Sequence, residues 1–343
     1  MLSFDSANCL PQGWQQRGLR VFMSEAKLRG AVFGAGNMGR HHIRIMDAHP
    51  HIDLVAIVDP DLERARQHPS AAHTPVYSSA EELPSIDLAV VAIPTQYHLA
   101  TGRALLQRGV HTLIEKPLAG NPADAQELVD AATAAGVILA TGHVERFNPA
   151  VNTLARLIDE PLFISIERLS PYTPRIKDSV VFDLTIHDID LACWLAGGYP
   201  TEIAASGTSV FSDTIDAASS VLKFPSGCVV TLQTSRITND KIRRISVSEK
   251  ERFIVADTLY QSIEVRKQAK VSYRQKGNEM TFEQTSVVES LSLDKSGEPL
   301  RKQLDDFVQA IKTDGTPIVD GTAGLAAVEL AYAIEALCLE ADV

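Results

Sequence analysis

Gly34-Ala-Gly36-Asn-Met-Gly39 stands between a short apolar run, Arg29 to Phe33, and a segment from Asn37 to Ala48 that reads as a helix. A G-x-G-x-x-G turn leading from a strand into a helix brings backbone N–H groups and the positive end of the helix dipole up to a pyrophosphate. Asp59 lies 20 residues beyond Gly39, at the end of the next apolar run, Ile52 to Val58, where a carboxylate accepts hydrogen bonds from a ribose diol. Gly34, Gly36, Asn37, Met38, Gly39 and Asp59 are therefore the expected dinucleotide-binding set. Pro60-Asp61 follows and adds a second carboxylate, which would repel a 2′-phosphate. NAD is favoured over NADP on that ground, and Arg64 is the residue able to reverse the preference.

The same rhythm continues: Asp87 to Ile93 reads as a strand, Leu99 to Arg108 as a helix, Val110 to Ile114 as a strand, Asn121 to Ala135 as a helix and Val137 to Thr141 as a strand. Consecutively apolar strands alternating with helices indicate a parallel sheet covered on both faces. Beyond Asn148 the rhythm changes to eight strand candidates between Leu162 and Val288 joined mostly by short turns, with one helix from about Phe182 to Leu195 and two closing the chain. The expectation is an α/β protein, with a doubly wound Rossmann domain over residues 28–147 and a second domain with a mostly antiparallel or mixed sheet over 148–343. The length of 343 residues accommodates two domains.

Acidic residues number 43 against 32 Lys and Arg, a net charge of −11, which disfavours nucleic acid and anionic lipid as partners. Cys9, Cys193, Cys228 and Cys338 are never in C-x-x-C spacing, so a reducing, cytoplasmic setting is expected. No run of 18 apolar residues suggests a membrane span, and residues 1–22 read as a disordered extension before the ordinary opening Met23-Ser-Glu-Ala-Lys.

Ligands of open α/β sheets bind outside the carboxyl ends of strands, and there the chain places Pro94-Thr95-Gln-Tyr-His98 and Glu115-Lys116-Pro117. Asp183 and His187 are four apart on the lone helix of the second half, a spacing that lets a carboxylate orient an imidazole for general-base work. His41-His42 reads as the outer face of the first Rossmann helix, and no His/Asp/Glu group has metal-ligand spacing.

In this order, Gly34–Gly39, Glu115-Lys116-Pro117 and Asp183-x-x-x-His187 resemble the Gfo/Idh/MocA family of NAD(P)-dependent sugar and polyol oxidoreductases, from Leu28 onward. The resemblance implies a Rossmann domain followed by an α/β domain whose open, largely antiparallel sheet forms subunit contacts. It further implies that Lys116 and His187 contact the reacting hydroxyl, that Asp183 supports them, and that the Lys116–Pro117 bond is cis. Pro94, Thr95, His98, Glu115 and Lys116 would border the cofactor. Thr185 stands where many members have glycine, which is expected to narrow the space near a sugar.

Gly142-His-Val-Glu-Arg146-Phe147-Asn148-Pro149, with Arg168, Pro171-Tyr172-Thr-Pro-Arg175 and Val181 to Asp190, is similar to the sugar-nucleotide branch of that family. That branch oxidises the C3 hydroxyl of UDP-N-acetylglucosamine and hands the ketone to a PLP aminotransferase for lipid A with amide-linked chains. The UDP-sugar would meet Lys116, Arg146, Phe147, Asn148, Arg168, Tyr172, Arg175 and His187, the arginines holding the diphosphate. The competing reading pairs each arginine with an acid such as Glu145, Glu167 or Asp178. Rival functions are the same oxidation of the uronic acid form, another sugar or polyol substrate, or a catalytically silent NAD-binding sensor or corepressor. Segments such as Cys228-Val-Val-Thr-Leu, apolar on both faces, point to a homo-oligomer, a dimer or a tetramer.

Overall fold

The computed structural model describes residues 26–174, 178–276 and 279–340, without the side chains of 268–286. The expected extension over 1–22 lies outside the described residues. Chain order in the first half is β1 (Leu28–Phe33), α1 (Gly39–Asp47), β2 (Ile52–Val58), α2 (Leu62–Arg66), β3 (Val76–Tyr77), β4 (Leu88–Val91), α3 (His98–Gln107), β5 (His111–Ile114), α4 (Pro122–Ala135) and β6 (Leu139–Thr141). These strands form one sheet in the order β3-β2-β1-β4-β5-β6, every pair parallel. That is the doubly wound order of a dinucleotide-binding domain. Leu88 to Val91 are all buried, which is why this strand is apolar at consecutive positions. The predicted start of α4 is present, with Asn121 accepting from the Asp124 amide at 2.9 Å and Pro122 as its first residue.

The second half begins with α5 (Pro149–Leu157) and β7 (Phe163–Leu169), followed by a π-helical turn over Val181–Thr185 and α6 (Ile186–Ala196). Then come β8 (Glu202–Thr208), β9 (Ala217–Lys223), β10 (Val229–Ser235), β11 (Ile242–Ser248), β12 (Arg252–Asp257), β13 (Ser262–Lys276), β14 (Glu279–Leu291), α7 (Pro299–Thr313) and α8 (Gly321–Glu340). The eight strands form a second sheet, β14-β13-β12-β11-β7-β10-β9-β8, antiparallel except for the parallel β7–β10 pair. Each of the eight expected strands is present. Alternation is clean in β9, where Ala218, Ser220 and Leu222 are buried and Val221 faces out.

The boundary at residue 148 needs one correction. Leu300, Leu304, Phe307 and Val308 of α7 pack with Val32, Ile43, Met46, Ile57 and Leu88, so the chain returns to cover one face of the first sheet. Burying each such side chain contributes about 1.5–3 kcal/mol, enough to fix the helix there. The opposite face carries α3 and α4, and its core runs on without a break through α5, α6 and α8 into the second sheet. Helix α8 is long and apolar enough to cross a membrane by length and composition, although Glu329 and Glu335 interrupt its apolar run. Its Ala327, Val328, Leu330, Ala331 and Ile334 lie in that shared core.

Candidate functional site

The turn after β1 is built for close approach. Gly34 has φ +94°, and a Cβ on it would lie 2.4 Å from the Ala92 carbonyl oxygen. A Cβ on Gly39 would lie 1.8 Å from the Gly34 oxygen, so α1 can start against the turn only with glycine there. Gly36 faces open space, Asn37 and Met38 are exposed, and no side chain caps the start of α1. Free amides beside an open glycine are what a pyrophosphate requires, so the residues present fit a dinucleotide. Asp59 ends β2 as expected, but it is buried, and both of its oxygens already accept hydrogen bonds: Oδ2 from the Ala35 amide at 2.7 Å and Oδ1 from the Asp61 amide at 2.8 Å, with Arg64 on both.

The ends of β4 and β5 lie alongside. Pro94 is exposed and Thr95 half-buried, placed to border a cofactor. His98, expected beside them, instead has its two ring nitrogens 2.9 Å from the carbonyl oxygens of Pro117 and Ile93. It braces the two strand ends and leaves no ring nitrogen for a ligand. Glu115 is also internal: its Oε1 lies 2.7 Å from Nε2 of His42. His42 is thus no outer-face residue but a buried partner, which corrects the reading of His41-His42. The Lys116–Pro117 bond is cis.

Lys116, Asp183 and His187 converge. Lys116 Nζ donates to the Asp183 carbonyl oxygen at 2.8 Å and lies 3.8 Å from its carboxylate. Burial lowers the Lys116 pKa, opposed by the charges of Asp183 and Glu115. His187 falls well below the ordinary imidazole range, through burial first and then the Lys116 and Arg168 cations. The expected Asp183–His187 contact is not formed: among the described residues, Asp183 Oδ2 and His187 Nδ1 are both buried without a partner. The reason is the π-turn of Val181–Thr185, which rotates Asp183 off the face that an α-helical spacing of four assumes. Thr185 turns inward, its Oγ1 donating to the Val180 oxygen at 3.3 Å, and is 1% exposed, so it does not narrow the cleft.

Most of the expected diphosphate set is scaffold. Arg146 is buried against Asp190, Nη2 to Oδ1 at 2.6 Å, and lies over Trp194 with its Cζ 5.3 Å from the ring centre. Arg168 bonds Asp188 at 2.7 Å and Glu145 at 3.1 Å, and Asp188, buried, is pushed up to about 6 despite that cation. Phe147 is buried, and Asn148 caps α5 while donating to the Thr258 oxygen at 3.0 Å. The competing reading of paired arginines holds for Arg146 and Arg168: Glu145, one of the acids it named, bonds Arg168, while Asp190 and Asp188 on α6 are partners that it did not name. Tyr172 remains partly exposed, its ring 5.1 Å from that of Phe211, and Arg175 lies outside the described residues. Two side chains near the site were missed: Arg243, bonded to Leu169 and Ser170, and His143, at the end of β6. The strand-end rule applied to Lys116 reaches His143 equally.

Residues 28–143 match the family described as oxidoreductases with an NAD-binding Rossmann fold, and residues 123–254 match the GFO/IDH/MocA C-terminal domain. The chain is 29% identical over 316 residues to UDP-N-acetylglucosamine 3-dehydrogenase of Acidithiobacillus ferrooxidans, covering 90% of this chain and 98% of that one. It is 27% identical to myo-inositol 2-dehydrogenase of Thermotoga maritima over 89% and 95% of the two chains. A solved structure of the Acidithiobacillus enzyme superposes with a TM-score of 0.82 at 27% identity, over 91% of this chain and 97% of that one. With its glycine turn open to a pyrophosphate and its cis Lys116–Pro117 bond facing the π-turn of the second domain, this chain belongs to the Gfo/Idh/MocA family of oxidoreductases with an NAD-binding Rossmann domain.

Proposed function

We propose that the protein oxidises the C3 hydroxyl of UDP-N-acetylglucosamine to the 3-keto sugar nucleotide with NAD. The observation that carries this is the convergence of Lys116, Asp183 and His187 where the carboxyl end of β5 meets the π-turn before α6. Similarity to the Acidithiobacillus 3-dehydrogenase over nine-tenths of the chain supports the choice of substrate. NAD, when bound, supplies the hydride acceptor. Lys116, held by Asp183, donates a hydrogen bond to the substrate oxygen and stabilises the negative charge that grows there. His187, neutral because it is buried among cations, accepts the hydroxyl proton. Tyr172 and Arg175 are the remaining candidates for contact with the nucleotide.

An isolated secondary alcohol is uphill to oxidise near neutral pH. The reading therefore includes a partner that consumes the ketone, a PLP aminotransferase serving lipid A with amide-linked chains. The test is a sugar-nucleotide and polyol panel with NAD, coupled to an aminotransferase or a carbonyl trap and followed as NADH absorbance. UDP-N-acetylglucosamine deuterated at C3 should pass its label to the nicotinamide. Label retained in the product, or turnover confined to inositols or to the uronic acid form, overturns the assignment.

A further inference from the structure

His143 sits in the turn directly after β6, is 0% exposed, and has no partner on either ring nitrogen among the described residues. Its ring stands edge-on to that of His187, centroids 6.2 Å apart and planes at 88°. His187 Nδ1 is likewise buried and unpartnered. A buried polar atom left without a hydrogen bond is destabilising, so three unpartnered imidazole nitrogens in one contact are an arrangement that needs a reason.

The groups around the pair give one. Burial, Lys116, Arg168, His143 and Arg243 all disfavour a proton on His187. Asp183 Oδ2 makes no bond to it, and Asp188 is engaged by Arg168. His143 is held low by burial and by Arg146 and Lys116, but Asp190 and Glu115 favour charge on it. The strongest charges acting on His187 are thus all cations or His143, whereas two carboxylates are among the strongest acting on His143.

We infer that His143 is the exit for the proton that His187 takes from the substrate hydroxyl. The hydroxyl proton arrives at Nε2 of His187, the Nδ1–H proton leaves through one bridging water to a ring nitrogen of His143, and His187 ends neutral in its other tautomer. His187 is left uncharged, the proton rests on His143 where Asp190 and Glu115 act, and the proton count balances. The unpartnered nitrogens of the two edge-on imidazoles supply the polar partners that a buried bridging water needs. His143 acts through His187, so it is a positioning residue for the departing proton, and the inference rests on the proposed role of His187 as base.

His143→Phe keeps an aromatic ring and removes both nitrogens. It should lower kcat by about 10-fold or more, leave the KM for the sugar nucleotide within about twofold, and raise the solvent deuterium isotope effect, since proton departure becomes limiting. His143→Gln, which keeps a hydrogen-bonding group, should restore part of the rate, and His143→Leu carries the test by the same criteria if the Phe variant does not fold. A kcat within about twofold of wild type with an unchanged isotope effect overturns the inference. Nitrogen-15 NMR of the histidines in the free protein needs no substrate: His187→Asn should shift both His143 nitrogens, and unmoved resonances overturn the coupling. Wild-type turnover in the substrate panel tests the reading of the site, so a failure there is separate from a failure of the NMR arm.

Discussion

Arg64 grips Asp59 at two points, Nη2 2.6 Å from Oδ1 and Nε 3.3 Å from Oδ2. Burial opposes the charge on Asp59, but Arg64 and the amides of Ala35 and Asp61 outweigh it and hold the carboxyl below its ordinary range. The acid expected to receive a ribose is therefore also a strut of the glycine turn, and the cation able to favour a 2′-phosphate is already occupied.

Two consequences follow for Asp59→Ala. Titration of the wild type should show NAD binding tighter than NADP; in the variant NAD affinity should fall by about 10-fold, a loss of about 1.4 kcal/mol, while the freed Arg64 narrows the gap to NADP. The sequence alone suggests that folding is untouched, but the amides of Ala35 and Asp61 lose their acceptor, so the melting temperature should also drop. Because the folded pKa is depressed, this stabilisation is present above about pH 4 and is lost as pH falls through the lower folded value. Tighter NADP binding by the wild type would mean that Arg64 leaves Asp59 when a cofactor arrives.

Arg146→Ala should behave as a stability variant. Its partner Asp190 is 2% exposed, so truncation strands a buried carboxylate, at a cost of about 3–5 kcal/mol. Denaturant midpoints measure this. A stable variant with a raised KM for the sugar nucleotide would return Arg146 to the diphosphate.

The pattern of strands and helices was readable because buried parallel strands such as Leu88 to Val91 are apolar at every position, and because the spacing of Gly34, Gly39 and Asp59 follows from phosphate and ribose geometry. What was not readable depends on distant partners. An amphipathic helix such as α7 says that one face is covered, not which sheet covers it. Arg146 and Arg168 stand beside acids in sequence, yet their buried partners Asp190 and Asp188 are 44 and 20 residues away. The Asp183–His187 pairing assumed 3.6 residues per turn, and a π-turn at that point breaks the assumption.

The outer face of the second sheet carries Phe163, Val221 and Phe253, each at least 36% exposed. A second copy of the chain is the proposed cover, giving a dimer or tetramer. Light scattering at micromolar concentration should report a multiple of the chain mass, and Val221→Lys with Phe253→Glu should shift it toward the monomer. A wild-type monomer would leave that face without its proposed role.

The last prediction separates the two candidates for the base. His187 lies well below the ordinary imidazole value, so it stays neutral through neutral and mildly acidic pH, and the acid limb of kcat/KM should appear only well below 6.5. Lys116 is lowered from 10.5, so its cation is lost earlier on the alkaline side than for an exposed lysine. If cationic Lys116 holds the substrate oxygen, activity should fall as pH rises through that lowered value. If neutral Lys116 were the base, activity would rise there instead, so the sign of the alkaline limb decides between them. His187→Asn and Lys116→Met should each lower the rate by about 10² or more with NAD binding retained, the usual scale of acid–base contributions. The Lys116→Met profile should also lose its alkaline limb, and a limb that persists would assign that titration to another group.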